Sequence, residues 1–121
     1  MAVVPDFLIK RIYQKGSLKK IDNGASVVLK NVLGPGFISG FNYVEINGVV
    51  YEPKDVKFIT NGQELLGTEV SEANPIAFRL GQSGELVMSG KSSVIEGVNK
   101  IVIEAMNPEA GKVQLKVEDT I

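Results

Sequence analysis

The C-terminal end of the chain alternates with a period of two. In "KVQLKVED", Val113, Leu115 and Val117 fall on one side, and Lys112, Gln114, Lys116 and Glu118 on the other. A helix would scatter these residues around its axis, whereas a strand sorts them onto one buried and one wet face. The segment before it, "NKIVIEAM", sets Ile101 and Ile103 against Lys100 and Glu104, and "NPEAG" between the two is a turn by composition. The pair reads as a β-hairpin.

The same grammar recurs upstream. Short apolar runs are broken by Gly, Asn-Gly or Pro at intervals of about ten residues, the spacing of a sandwich or barrel. "DFLIKRIYQ" alternates Phe7, Ile9 and Tyr13 against Lys10 and Gln14, with Arg11 out of pattern, and is expected to be a strand. "ASVVLKNV" supplies Val27 and Leu29. "FNYVEINGVVYEP" carries Asn47-Gly48, the strongest short hairpin signal, and "DVKFITNGQEL" carries Asn61-Gly62. "NPIAFRLGQSGELVMSG" holds two more short strands. Only "EVSEANP" offers a helical turn, which Pro75 would end. These readings predict an all-β fold, an immunoglobulin-like antiparallel β-sandwich of about eight strands, with a small closed barrel as the alternative. No linker divides the chain, so residues 1–121 are expected to form one domain.

Composition narrows the chemistry. The chain has neither cysteine nor histidine. It therefore lacks disulfides, thiolates, the usual general base near neutral pH and the two commonest transition-metal ligands. The 13 basic and 14 acidic residues give a net charge of −1 and are dispersed, so no nucleic-acid or anionic-membrane footprint is expected. "MAVVPDFLIK" is too short and broken an apolar run for a secretory signal, and no run approaches the ~20 residues of a membrane span. A cytoplasmic location is expected.

Candidate constellations are few. Ser92 and Ser93 lie beside Lys91, but a Ser–Lys dyad needs a desolvated lysine and this stretch reads as a polar loop. Glu64, Glu69 and Glu72 lack the ladder of oxygen ligands of a calcium loop. Asp119 continues the inward face of Val113, Leu115 and Val117 and is expected to bond backbone or a neighbour. No catalytic residue and no metal-binding set emerges. The feature that stands apart is "GPGFISGFNY", residues 34–43, which places Pro35, Phe37, Ile38 and Phe41 among glycines. Buried, it would close the end of the sandwich. Exposed, it would contact a partner or substrate, with Phe37 the foremost contact residue.

The order of motifs resembles the small β subunit of bacterial C-glycoside deglycosidases. The resemblance is carried by Val44–Gly48, Asp55–Phe58, Asn61-Gly62 and Glu96–Ile103, and spans most of residues 24–121. Asn47 stands where that family more often has aspartate, and the loop at 34–41 lacks its paired tyrosines and arginine. The resemblance implies a non-catalytic β subunit with no cofactor of its own. It would support a larger α subunit, a sugar-isomerase-like barrel carrying manganese, in cleaving the carbon–carbon glycosidic bond of 3-oxo-C-glycosides, with the interface as a place for substrate. Two other readings stand beside it. One is a free-standing carbohydrate-binding sandwich, disfavoured by the absence of Trp. The other is a structural protein pairing through sheet edges, with "DVKFIT" and "KIVIEAM" as the edges.

Overall fold

The computed structural model describes residues 5–121. Its elements are helix α1 (Asp6–Ile9) and strands β1 (Lys19–Ile21), β2 (Gly24–Lys30), β3 (Gly36–Ile38), β4 (Gly40–Ile46), β5 (Val49–Tyr51), β6 (Val56–Thr60), β7 (Gln63–Leu66), β8 (Ile76–Phe78), β9 (Ser83–Ser89), β10 (Val98–Asn107) and β11 (Gly111–Thr120). Every strand pairing is antiparallel. One sheet runs β1-β2-β9-β6-β7 and the other β11-β10-β4-β5, while β3 and β8 form a separate two-stranded ribbon. The result is the expected all-β sandwich, with eleven strands rather than about eight. The additional strands are three- and four-residue pieces.

The core lies between the sheets. Val27, Leu29, Val56, Phe58, Leu86 and Met88 face Val44, Ile46, Ile101, Ile103 and Leu115, all of them buried. Phe58 on β6 meets Phe41 on β4 with ring centroids 5.5 Å apart, and meets Phe78 on β8 edge-on at 5.7 Å. The three rings thus join both sheets and the ribbon. A side chain at Gly84 on β9 would overlap the Phe58 ring, so that position has room for hydrogen only.

The hairpin signals fall where expected. Asn47 and Gly48 take φ of 52° and 85°, and Asn61 and Gly62 take 50° and 76°, the left-handed pairs of type I′ turns. Asn47 does more than turn. Its amide donates to the Ser93 carbonyl at 2.9 Å and to Asn99 Oδ1 at 2.8 Å, and its Oδ1 accepts from Lys100 N–H at 3.0 Å. Asn99 is fully buried and holds Ile95 by both N–H and carbonyl. An aspartate at 47 could not donate to those two acceptors, which gives a physical reason for asparagine there.

Three sequence expectations are corrected. "DFLIKRIYQ" is not a strand. Pro5 caps a helical turn, with Leu8 N–H and Ile9 N–H bonded to its carbonyl, and a 3₁₀ turn follows at Lys10–Ile12. Ile9, Ile12 and Tyr13 point inward at i, i+3 and i+4, a helical stripe that the apparent alternation concealed. Arg11, the residue out of pattern, lies on the exposed side. "DVKFIT" and "KIVIEAM" are not edges either, since β6 lies between β9 and β7, and β10 between β11 and β4. The actual edges include β1 and β11, whose exposed lysines discourage further pairing. The helical turn expected in "EVSEANP" is absent: a 3₁₀ turn at Gly67–Glu69 ends where the segment begins, and Ser71 and Asn74 close a tight turn by an antiparallel bridge.

Asp119 fulfils its expected inward role and ties the N-terminal segment to the last strand. Its carboxylate accepts from Tyr13 Oη at 2.6 Å, Gly16 N–H at 2.9 Å and Leu18 N–H at 3.3 Å. Burial alone would raise its pKa. The Tyr13 hydroxyl and the amides of Thr120, Leu18 and Gly16 outweigh burial and hold the carboxyl below the usual aspartate value. Burial and the facing carboxylate push the Tyr13 hydroxyl well above the ordinary tyrosine range, so it stays a donor. Asp119→Ala would leave three amides and a hydroxyl without their acceptor, at about 2–4 kcal/mol. Because the folded pKa is depressed, this stabilisation is complete above the unfolded value of about 3.9 and is lost as pH falls through the folded one. The melting-temperature gap between wild type and Asp119→Asn should be full at neutral pH and close in acid. A gap unchanged from pH 7 to pH 2 would show that the carboxylate charge is not responsible.

Candidate functional site

The stretch "GPGFISGFNY" is mostly strand. Gly36 opens β3 and Gly40 opens β4, so the expected loop is confined to Gly34-Pro35 and Ser39. It is pinned on both sides. Asn31 donates to the carbonyls of Gly34 and Phe78, both at 2.6 Å, and accepts from Leu33 N–H at 3.0 Å. Asn107 donates to the Phe37 carbonyl at 3.0 Å, and Ser39 N–H bonds the Met106 carbonyl at 2.8 Å.

Together the ribbon, the β10–β11 turn and the N-terminal segment enclose a cleft of about 290 Å³. Ile9, Ile12, Leu29, Phe78, Ile103 and Leu115 supply apolar wall, and Met106 and Ala110 the rim beside the turn. All four residues singled out in the sequence line this cleft, in different ways. Pro35 is exposed at its mouth, and Phe37 is 52% exposed and presents a ring to solvent. Ile38 is half-buried and packs on the core. Phe41 is only 4% exposed and belongs to the aromatic core, so it reaches the cleft from the inside and offers no surface to a partner. Ile9 and Ile12 were missed because their segment reads as a strand. Their i, i+3 spacing behind Pro5 was the available signal.

The polar atoms of the cleft are already committed. Both ends of the Asn31 amide are engaged, and Asn107 Oδ1 accepts from Glu109 N–H at 2.9 Å and Ala110 N–H at 2.8 Å. Glu109 is the one ionisable side chain lining the cleft among the described residues. The site has the chemistry of apolar contact and not of bond making. Elsewhere the candidates separate. Lys91 is exposed and donates to the Val50 carbonyl at 2.7 Å, while Ser93 Oγ is 2.7 Å from the Tyr51 hydroxyl, so neither serves a dyad. Glu64 lies 3.9 Å from Lys57, and Glu69 accepts from Leu66 N–H at 2.9 Å, so the acidic stretch does not converge. Among the described residues no three carboxylates cluster as a metal site, and no helix is long and apolar enough to cross a membrane.

An all-β domain with one apolar end cleft and dispersed charges defines the class. The family model for the hydroxymethylglutaryl-CoA reductase N-terminal domain matches residues 8–121, and the chain belongs to that family. No curated protein matches the chain. The family match overturns the resemblance to a C-glycoside deglycosidase β subunit, together with the carbon–carbon bond cleavage and carbohydrate metabolism it implied. The residues that carried that resemblance have structural work here. Asn47-Gly48 and Asn61-Gly62 are turns, Val56 and Phe58 are core, and Asn99 is a buried brace. Such positions recur wherever a sandwich needs them and carry little about activity. The manganese-bearing barrel partner rests on that resemblance alone.

The two phenylalanines should part company under mutation. Phe41→Ala removes a buried ring and should cost about 3–5 kcal/mol, whereas Phe37→Ala should change stability by less than about 1 kcal/mol. Urea unfolding followed by circular dichroism measures both. Equal losses would place Phe37 in the core.

Proposed function

We propose that this chain is a non-catalytic accessory domain that docks on the catalytic unit of a hydroxymethylglutaryl-CoA reductase, with the reductive chemistry residing in other polypeptide. The observation that carries the reading is the exposed apolar surface at and beside the end cleft, where Leu33 and Phe37 line the cleft itself. Val32, Leu33 and Phe37 are 39%, 38% and 52% exposed, and Leu80 is 62% exposed in the neighbouring turn, which Gly81 N–H ties to the Asn31 carbonyl. Grouped apolar side chains held on a pinned backbone are a contact surface formed in advance, with little ordering cost on association.

The residues at hand do not fit the other role a reductase requires. Among the described residues the one α-helix is the single turn at Asp6–Ile9, entered from Pro5 with no glycine-rich loop, so no dinucleotide cradle is formed. The family match supports the class of enzyme, and the exposed apolar surface supports the place of contact.

Co-expression with a reductase catalytic unit, followed by size exclusion, tests the reading. The two should co-elute. Leu33→Asp combined with Phe37→Asp should abolish co-elution while leaving the melting temperature of the isolated chain within a few degrees, since both positions are solvent-facing. Separate elution of the wild-type chains, or co-elution indifferent to the two aspartates, would overturn it.

A further inference from the structure

Beyond docking, the end cleft continues into a second hollow of different character. Between α1 and the edge strand β11 lies a shelf lined by Lys10, Lys112, Lys116, Gln114 and Asp6. Shelf and cleft share Ile9, Ala110 and Val113 as lining, so they are neighbours with these side chains between them. The three lysines are exposed, and none forms an ion pair with a described residue: the salt bridges found are Lys54–Glu52 and Lys57–Glu64. Three ammonium groups thus face one carboxylate on the shelf.

From this juxtaposition we propose a binding site for an amphipathic anion, with a hydrocarbon chain in the cleft and its anionic head group on the lysine shelf. The cleft rejects a polar occupant because its own amides are satisfied internally and offer nothing in exchange for lost water. At roughly 30 Å³ per water-sized unit, its 290 Å³ accommodates a chain of medium length. The shelf supplies what a hydrocarbon lacks, an attraction for negative charge that fixes which end enters. A carboxylate and a phosphate ester satisfy the shelf equally in kind, so the shared chemistry is an anion on an alkyl chain. Glu109 at the cleft mouth opposes the anion and weakens its hold.

Isothermal titration of the full chain with laurate, dodecyl phosphate and dodecanol, all below their aggregation limits, tests the site. Laurate, dodecyl phosphate or both should bind at one site, at least about tenfold tighter than dodecanol, with an affinity that falls as salt is raised. The tighter of the two anions identifies the preferred head group. Lys112→Glu with Lys116→Glu, on the exposed face of an edge strand, should weaken the anions about five- to tenfold and leave dodecanol unchanged. Glu109→Gln should tighten the anions about two- to threefold. Ala105→Phe, which fills the cleft, should weaken all three ligands. Should that variant fail to fold, the lysine pair still decides. No binding of either anion, equal binding of dodecanol, or anion affinity indifferent to the lysine pair would each overturn the proposal.

Discussion

Three phenylalanines hold the molecule together as one body. Phe41 belongs to one sheet, Phe58 to the other and Phe78 to the ribbon, and they meet ring against ring. Tilted and edge-on contacts of this kind add roughly 0.5–1.5 kcal/mol per pair beyond area burial. Their larger consequence is geometric. Because Phe58 occupies the space above Gly84, the sheets can close only with that ring in place. The ribbon is then fixed relative to both sheets, and with it the walls of the cleft. The cleft is what remains at the end of the sandwich, with Phe41 and Phe78 forming part of its inner wall.

Some of this architecture is plain in the sequence, and the reason is physical. Period-two alternation over ten-residue strands and Asn-Gly turns are local properties, so β10, β11 and both type I′ hairpins can be read without tertiary knowledge. Asp119 is equally legible because its parity in β11 fixes its direction. What eludes a local reading is whatever depends on competition between periods. In "DFLIKRIYQ" Ile9 and Tyr13 fit a strand with Phe7 at spacing two and a helix with Ile12 at spacing three and four, and Pro5 decides the matter by opening a turn that leaves Phe7 exposed. Likewise, alternation shows that β6 and β10 are strands and says nothing about which neighbours flank them. Edge and interior positions are set by long-range pairing.

The candidate site divides along the same line. "GPGFISGFNY" advertises itself by composition, and its four apolar residues do line one cleft. Composition alone, however, could not separate Phe37, which faces water, from Phe41, four residues on, which faces the core. Between them the chain leaves the ribbon at Ser39 and enters β4 of the sheet, so equal parity does not mean equal facing; the extra residue of the β4–β10 pairing, Asn42, comes only after Phe41. Lys112 and Lys116 look like the solvated face of a hairpin and take on meaning only once α1 lies beside them. The family likeness was the least transferable reading. Its motifs are requirements of tight turns and buried braces, and those are shared by sandwiches of unrelated activity.

Asn47 carries a consequence for the durability of the chain. Asparagine before glycine is the pair most prone to spontaneous loss of the side-chain amide, and this protein has three such pairs, at 23–24, 47–48 and 61–62, the last two in the type I′ hairpins. Asn61 is exposed, so a carboxylate formed there meets water. At residue 47 the new oxygen would face the Ser93 carbonyl and Asn99 Oδ1, two groups that can only accept. The same chemical event is therefore almost silent at one hairpin and disruptive at the other. With age, the protein would be expected to lose its structure first where Asn47 anchors the 93–99 segment.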